Sequence, residues 1–293
     1  MKYKFSHIAL STSSQDKRVL PIATQVYEIL SNAGIKVSFD LNLEKLEKDT
    51  KIKHKSSNYI TKNAELLIAI GGDGTMLNCS RRYGSKGVSI LGINLGKVGF
   101  LSDIAPNEMT SRLLEVIKGD YVEDKRFFLE ASLEGKKGIH TALNEIVIHS
   151  GAIAQLIEFD LYIDDSFVYR QKADGLIINS PTGSTAYSLS GGGPIVHPGL
   201  EAITLLPMFP QNLSTSPLVV KASSKIKVNL INSKLKSQLS FDSHESLMVK
   251  GRQEIVISRS KSELNLIHPK DHDFFEGCRN KLGWSSGLVK EQN

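Results

Sequence analysis

The sequence contains little cysteine and no long apolar run. Its 293 residues include two cysteines, Cys79 and Cys278, which is too few for a disulfide framework, and their spacing is not that of a zinc site. No apolar segment approaches the roughly 18 residues that suggest a membrane span. The polar N-terminus fits a first strand better than a signal peptide. These absences predict a globular protein of the reducing cytoplasm that does not act at a membrane.

The charge also lacks a pattern typical of nucleic-acid binding. The formal net charge is +5, which suits an anionic ligand of small size. Lysine and arginine are spread along the chain, however, and no basic stripe is interleaved with aromatic residues. We therefore expect no nucleic-acid partner.

One glycine-rich stretch stands out from this ordinary background. Leu66–Ile70 predicts a buried strand, Gly71-Gly-Asp-Gly74 follows it, and Thr75 is a plausible N-cap of a helix. Glycines let the backbone turn tightly, and exposed amides at a helix N-terminus form a cradle for phosphate. The spacing matches neither the Rossmann fingerprint nor the Walker P-loop. A carboxylate in such a cradle, Asp73, is expected to bind a metal or to deprotonate a hydroxyl that attacks phosphate; a tight turn with a capping aspartate is the alternative.

The first part of the chain predicts an α/β domain with a parallel sheet. Apolar strand patterns alternate with helical spacing, and turns follow the strand ends, as in sheets that bind ligands at their carboxyl edge. The mixed charges of 44–55 predict a solvated segment. The predicted strands are 5–10, 35–39, 66–70 and 87–93, and the predicted helices are 16–33 and 107–118.

The pattern then changes to alternating polar and apolar residues, which predicts a β-rich, sandwich-like second domain from about 120 to 267. The predicted strands include 155–163, 167–170, 225–231, 254–260 and 263–267. The segment after Pro269 has no clear pattern.

Two further stretches carry polar groups suited to a ligand. Asn144 and Glu145 begin an apolar strand on opposite faces, so they are either solvent-exposed or, at a strand end, partners for a vicinal diol. A loop rich in hydroxyls and glycine follows the strand Leu176–Ile178, and its Tyr187 offers a flat face to a purine. His244 lies at a hairpin-like turn and allows either interpretation. Histidine, aspartate and glutamate show no metal-ligand spacing, so any metal is expected to arrive with phosphate.

Taken together, these motifs resemble those of bacterial NAD kinases. They are, in order, Gly71-Gly-Asp-Gly-Thr75, Asn94-x-Gly-x-x-Gly-Phe100, Asn144-Glu145, Asp174-Gly175 and Pro181-Thr-Gly-Ser-Thr-Ala-Tyr187. In the tail, Leu266-Ile-His-Pro-Lys270 and Lys281-Leu-Gly-Trp284 are also similar to the family. The glycine motif alone is shared with diacylglycerol-type lipid kinases and phosphofructokinases, whereas the later motifs are not.

The resemblance implies transfer of the γ-phosphate of ATP, or in some members of polyphosphate, to the 2′-hydroxyl of the adenosine ribose of NAD. A divalent ion, Mg²⁺ or Mn²⁺, is expected with ATP. The implied organisation is an α/β domain over 1–119, a β-rich dinucleotide-binding domain over 120–267, and a tail, 268–293, that packs back on the first domain. The resemblance also implies a homodimer or homotetramer.

Roles for single residues follow from the resemblance as well. Asp73 is implied as the general base, and Asn144 with Glu145 is implied to hold the ribose hydroxyls. Lys172 and Asp174 are expected to meet the rest of the dinucleotide. The phosphate loop comprises Gly71, Gly72, Gly74 and Thr75, and the other implied nucleotide contacts are Phe100, Gln155, Thr185, Ala186, Tyr187, Ser188, Leu189, Ser190 and His244. Gln155 and His244 match positions that vary within the family.

Two alternative functions remain open from the sequence. A lipid or sugar kinase shares the glycine-rich motif, although a lipid kinase needs an apolar entry surface and no amphipathic membrane-binding stretch is evident. A non-catalytic dinucleotide sensor would use the same pocket. Such a sensor gains nothing from Asp73 beside phosphate, which favours the enzyme.

Overall fold

The computed structural model describes residues 3–40, 43, 54–96, 99–136, 138–151, 155–212, 215–231, 236–250 and 252–284. The chain forms two compact units, one made of the residues up to 125 and from 264 onward, the other of residues 126–263. The domain limits given above remain a prediction. Of the segment predicted to be solvated, residues 44–53 lie outside the described residues.

The first unit is built on a parallel sheet. Its elements up to residue 118 are β1 (His7–Ser11), α1 (Val19–Asn32), β2 (Lys36–Asp40), β3 (His54–Lys55), α2 (Ser57–Asn63), β4 (Leu66–Ile70), α3 (Asp73–Arg82), β5 (Ser89–Ile93) and α4 (Met109–Lys118). The strands lie in the order β3-β2-β1-β4-β5, and each pair is parallel. The apolar stripes of α1 and α4 pack into the same core as the strands, which confirms the predicted α/β domain.

The second unit is a β-sandwich. Its elements are β6 (Tyr121–Leu133), which starts in the first unit, β7 (His140–Ala142), β8 (Glu145–His149), β9 (Ile157–Ile163), β10 (Ser166–Ala173), β11 (Gly175–Asn179), α5 (Tyr187–Ser190), β12 (Ala202–Met208), β13 (Leu218–Lys221), β14 (Ile226–Leu230), β15 (Lys236–Phe241), β16 (Glu245–Lys250) and β17 (Glu254–Pro269), whose last six residues belong to the first unit. One antiparallel sheet has the order β13-β12-β11-β8-β15-β16, and the other contains β10-β9-β14-β17. Alternate apolar residues of both sheets form one core, which confirms the β-rich prediction.

The end of the chain differs from the predictions. The predicted strands 254–260 and 263–267 form one continuous strand, β17, so the break between them was wrong. The first residues of β17 pair antiparallel with β14, and Leu266 and Ile267 pair parallel with β5. A helix, α6 (Phe274–Leu282), follows in the patternless tail, and the Asp273 carboxylate caps it by accepting from the Phe275 N–H at 2.8 Å. Within the described ranges, no helix has the length and apolar content to cross a bilayer.

Candidate active site

The glycine-rich turn joins β4 to α3. The helix begins at Asp73 with Gly72 as its N-cap, so the prediction of Thr75 as N-cap was wrong. Gly72 has extended backbone angles and completes the turn, which leaves Thr75 inside the first helical turn. There the buried Thr75 hydroxyl accepts a hydrogen bond from Ser13 Oγ at 3.1 Å. A methyl group on Gly71 would overlap the Thr75 side chain, so packing requires this glycine.

The other two glycines of the turn face open space. A methyl group on Gly72 or Gly74 would meet no described atom within 4 Å. Packing therefore does not explain these glycines, whereas close approach of a ligand to the backbone does. The N-terminus of α3 carries a partial positive charge there, which favours an anion such as phosphate.

The Asp73 carboxylate is held by backbone amides of the following glycine loop. It accepts hydrogen bonds from the Phe100 N–H at 3.1 Å and the Leu101 N–H at 3.2 Å. A methyl group on Gly99 would overlap Asp73 Oδ1, so only glycine fits at this position. One third of the Asp73 side chain remains exposed. The carboxylate is thus fixed in orientation while one side stays open to a reactant.

The same loop is stabilised by its own asparagine. Asn94 Nδ2 donates to Ser102 Oγ at 3.0 Å, and Asn94 Oδ1 accepts from the Gly96 N–H at 2.8 Å. The motif predicted around Asn94 and Phe100 therefore acts as a scaffold for the carboxylate; residues 97–98 within it lie outside the described residues. The predicted nucleotide contact Phe100 contributes its amide to Asp73 and its ring to a cation.

That cation is Lys281, a residue not selected from the sequence. Lys281 lies in α6, and its Nζ donates to Asp73 Oδ2 at 3.0 Å while standing 4.8 Å from the centre of the Phe100 ring. Because Asp73 and Lys281 are 208 residues apart in the sequence, local sequence patterns could not predict this contact. The only signal was the Lys-Leu-Gly-Trp motif in the tail.

Asn144 and Glu145 are both buried in the second unit. Sequence alternation allowed them to be solvent-exposed, but the exposed fractions are 8% and 4%. Asn144 lies just before β8, which begins at Glu145, so the alternation of faces along a strand does not apply to it. The carboxylate of Asp242 accepts from the backbone N–H groups of Leu143, Asn144 and Glu145 at 2.8, 2.8 and 3.1 Å. Asp242 was also missed, because a single aspartate at a hairpin turn has no distinguishing sequence signal.

The buried side chains of this pair have unused polar atoms. Asn144 Oδ1 and Glu145 Oε2 have no hydrogen-bond partner in the part of the chain that the structure describes. Burial, and next the negative charge of Asp242, raise the pKa of Glu145 to about 8. A protonated carboxyl donates as well as accepts, so the pair offers both kinds of group to ligand hydroxyls. Burying polar atoms without partners costs free energy, which favours a binding role for this pair.

The raised pKa gives a prediction for stability without ligand. Because the folded protein binds a proton that the unfolded chain releases above about pH 4.5, stability falls as pH rises toward about 8. Relative to Glu145→Gln, the wild type should lose up to about 1.4 kcal/mol of unfolding free energy per pH unit from about pH 5 to about pH 8. Urea unfolding across this range measures the difference. The exposed Glu134→Gln serves as the control, and parallel curves for all three proteins would contradict the shifted pKa.

The hydroxyl-rich loop packs directly on Asn144. A methyl group on Gly183 would overlap the Asn144 carbonyl oxygen, which itself accepts from the Ser180 N–H at 2.9 Å. Arg126 donates to Thr182 Oγ1 at 3.1 Å from within the core. Thr185 and Ala186 at the end of the loop are half-buried. In α5, which follows, Ser188 is buried, Leu189 is half-buried, and Tyr187 and Ser190 are exposed.

A cavity of about 620 Å³ is lined by some, but not all, of the residues predicted to contact the nucleotide. Asp174 and Tyr187 line it together with Ser243. Lys172 instead lines a different cavity of about 340 Å³, where its Nζ lies 3.9 Å from Glu158. Gln155 is exposed before β9, and His244 is exposed in the turn between β15 and β16. Nucleotide contacts by all of the predicted site residues, including those that line this cavity, remain predictions.

Comparison with known proteins agrees with both groups of motifs. The family model described as the ATP-NAD kinase N-terminal domain matches residues 8–121, and the ATP-NAD kinase C-terminal domain matches residues 143–269. The chain belongs to the NAD kinase family. The N-terminal match includes the glycine turn with Asp73, and the C-terminal match includes Asn144, Glu145 and the hydroxyl-rich loop. Lys281 lies beyond both matches.

Individual NAD kinases are similar over nearly the whole chain. The NAD kinase of Saccharophagus degradans is 43% identical over 266 residues, which cover 89% of this chain and 90% of that protein. The NAD kinase of Salmonella choleraesuis is 42% identical over 270 residues, or 91% of this chain and 90% of that protein. Membership of the NAD kinase family makes the chain a phosphotransferase, and the family takes its phosphoryl group from ATP.

Two solved structures share the fold. Yeast NADH kinase complexed with NADH superposes with a TM-score of 0.86 and 26% identity, covering 98% of this chain and 90% of that chain. An NAD kinase from Archaeoglobus fulgidus in complex with ATP superposes with a TM-score of 0.74 and 26% identity, covering 94% and 98%.

Proposed function

We propose that this chain transfers the γ-phosphate of ATP to the 2′-hydroxyl of the adenosine ribose of NAD, forming NADP, with Asp73 as general base. The observation that carries the proposal is a fixed, partly exposed carboxylate beside two glycines that face open space. Phosphoryl transfer depends mainly on positioning and charge neutralisation, and both are available here.

In the proposed reaction, Asp73 takes the proton of the 2′-hydroxyl as its oxygen attacks the γ-phosphorus. The bond from that phosphorus to the leaving oxygen of ADP breaks, and the proton remains on the carboxyl until it passes to water. Gly72 and Gly74 leave room for the phosphates against the backbone. Lys281, which contacts Asp73, supplies positive charge near the transferred group.

A divalent ion is expected to accompany ATP. Mg²⁺ and Mn²⁺ are hard ions that prefer oxygen ligands and usually bind together with substrate phosphates, so the ion is expected to arrive on the phosphates of ATP. Bound there, the ion would neutralise charge on the phosphates.

Asn144 and Glu145 are proposed to bind the adenosine ribose hydroxyls. Their unused buried atoms, Asn144 Oδ1 and Glu145 Oε2, support this role. Asp174 and Tyr187 share a cavity suited to the rest of the dinucleotide. The proposed contacts also include Lys172, Gln155, Thr185, Ala186, Ser188, Leu189, Ser190 and His244.

Kinetics of Asn144→Ala test the ribose assignment. Losing a hydrogen bond from a buried site costs about 1–3 kcal/mol, so the KM for NAD should rise about 5- to 150-fold while the KM for ATP changes little. Initial rates of NADP formation measure both constants. Asn32→Ala, at the exposed end of α1, is the matched control and should behave as the wild type.

Other outcomes would favour the alternatives. An unchanged KM for NAD in Asn144→Ala would contradict the ribose assignment. A wild-type protein that phosphorylates a lipid or a sugar instead of NAD would support the kinases that share the glycine motif. Saturable NAD binding without turnover would support a dinucleotide sensor.

We also infer a homodimer or homotetramer in the cytoplasm. The oligomeric state follows from the resemblance to bacterial NAD kinases, and light scattering on the purified protein tests it. Both cysteines are free and buried rather than paired, which suits a reducing compartment.

A further inference from the structure

One carboxylate binds three consecutive backbone amides at the start of β8, and it belongs to Asp242, which is 7% exposed. Its Oδ1 accepts from the Asn144 N–H at 2.8 Å and from the Glu145 N–H at 3.1 Å. Its Oδ2 accepts from the Leu143 N–H at 2.8 Å. This backbone carries the two side chains proposed above to bind the ribose hydroxyls, whereas Asp242 is not among the proposed contacts.

The carboxylate takes the place of a backbone partner where the neighbouring strand ends. β15 pairs with β8 as far as Phe241, which lies opposite Ile146, and Asp242 follows directly. The Asp242 N–H still donates to the Glu145 carbonyl at 3.1 Å, but the Glu145 N–H turns to the side chain instead of a carbonyl. A buried N–H without an acceptor costs free energy, and an ionised acceptor forms the stronger hydrogen bond. Aspartate therefore suits this position better than a neutral residue.

The turn between β15 and β16 fixes the direction of the carboxylate. Asp242 and Ser243 have positive φ angles of 48° and 52°, in the left-handed region. Aspartate tolerates this conformation better than most residues with a side chain. The His244 N–H closes the turn by donating to the Phe241 carbonyl at 2.9 Å. The turn thus holds the carboxylate in one orientation, toward β8.

The hydroxyl-rich loop holds the same backbone by its carbonyl groups. Ser180 Oγ donates to the Leu143 carbonyl at 2.5 Å, and the Ser180 N–H donates to the Asn144 carbonyl at 2.9 Å. All four backbone polar groups of Leu143 and Asn144 are therefore hydrogen-bonded to Asp242 or Ser180. A backbone held from both sides carries Asn144 Oδ1 and Glu145 Oε2, which have no partner among the described residues.

We propose that Asp242 is a positioning residue for NAD, which orients the backbone of Asn144 and Glu145 so that their side chains meet the ribose hydroxyls. The inference rests on the ribose assignment proposed above and adds a residue that acts through that pair without touching the dinucleotide. Misplacing a substrate contact by about 1 Å can cost roughly 10²-fold in rate, so a residue behind the contacts can matter as much as the contacts themselves.

The charge of Asp242 supports the same role. After burial, it is the next cause that raises the pKa of Glu145 to about 8. The protonated carboxyl that this favours can donate to a hydroxyl oxygen as well as accept from a hydroxyl group. Asp242 thus acts on both the orientation and the hydrogen-bonding capacity of its neighbour.

Asp242→Asn tests the proposal with a change of one atom. The new NH2 group cannot accept, so one or two of the three backbone N–H groups lose their acceptor, while asparagine tolerates the left-handed turn. We expect the KM for NAD to rise at least about tenfold and the KM for ATP to change little. Initial rates of NADP formation measure both constants, and an unchanged KM for NAD would overturn the proposal.

Asp242→Gly covers the case in which Asp242→Asn does not fold. Glycine adopts a φ of 48° without strain and places no donor against the backbone N–H groups. It removes all three hydrogen bonds, so the KM for NAD should rise by at least the same factor. A folded Asp242→Gly protein with the wild-type KM for NAD would overturn the proposal.

Asp164→Asn is the matched control for a purely structural effect. Asp164, in the turn between β9 and β10, also has a φ of 48°, and its carboxylate accepts from the Lys225 N–H at 2.8 Å and from Ser224 Oγ at 2.9 Å. This variant should lower the melting temperature and leave the KM for NAD at the wild-type value. An equal rise of that KM in Asp164→Asn and Asp242→Asn would show a general loss of stability and overturn the positioning role.

Combining Asp242→Asn with Asn144→Ala separates this inference from the proposed function. If Asp242 acts through Asn144, the KM for NAD of the double variant should lie well below the product of the two single effects. A full product would overturn the positioning role. If Asn144→Ala raises the KM and Asp242→Asn does not, only the positioning role fails. If Asn144→Ala has no effect, the ribose assignment fails and the positioning role fails with it.

Discussion

Asp73→Asn should abolish most NADP formation while leaving the fold and NAD binding nearly intact. Removing a general base typically costs about 10²–10⁴ in rate, and the isosteric amide keeps the shape of the side chain. The carbonyl oxygen of that amide can still accept one of the two backbone hydrogen bonds from Phe100 and Leu101. Turnover, the Kd for NAD and thermal unfolding of the purified variant measure the three expectations separately.

A matched aspartate separates the role of Asp73 from a general effect of lost charge. Asp165 lies in the turn between β9 and β10 with a positive φ of 65°, a conformation that asparagine tolerates well. Asp165→Asn should retain wild-type turnover. If Asp73→Asn also retains it, Asp73 is not the general base.

Gly99→Ala should be nearly as damaging, although residue 99 carries no reactive group. The added methyl group would overlap Asp73 Oδ1 and crowd Ser102 Oγ, so the carboxylate must move. Misplacing a reacting group by about 1 Å can cost roughly 10²-fold in rate. We therefore expect a loss of kcat of about 100-fold or more, together with a lower melting temperature.

Gly96→Ala provides a control within the same loop. A methyl group on Gly96 meets no described atom within 4 Å, and its N–H still reaches Asn94 Oδ1. This variant should keep both activity and stability. Equal activity of Gly99→Ala and Gly96→Ala would show that the loop does not position Asp73.

Short-range patterns predicted much of the fold. The run Leu66–Ile70 matches β4 because a strand buried on both faces must be apolar throughout. The helical spacing from Val19 to Leu30 matches the buried stripe of α1. Alternation at 157–163 likewise marks the core-facing side of β9.

The secondary-structure predictions failed where local residue preferences conflict with tertiary packing. Thr75 is a favourable N-cap by residue type, but Gly72 makes the turn two residues into the motif and places Thr75 inside α3. Helix α6 was missed because only Cys278 among its residues is buried, so its apolar stripe is weak. The break placed before Glu263 in β17 followed local polarity, while pairing of the later residues with β5 keeps the strand continuous.

The candidate site was predictable only in part for a related reason. Motifs contiguous in sequence, such as the glycine turn and Asn144-Glu145, were found directly. Sequence spacing could not predict contacts between residues far apart in the chain, such as those made by Asp242, Lys281 and His268.

The most direct test of the central claim is the product formed from NAD, ATP and Mg²⁺ by the purified protein. Phosphorus NMR distinguishes a new 2′-phosphomonoester on the adenosine ribose from phosphate at any other position. We predict stoichiometric conversion of NAD and ATP into NADP and ADP. ATP consumption without that 2′-phosphate, or no turnover despite NAD binding, would contradict the account.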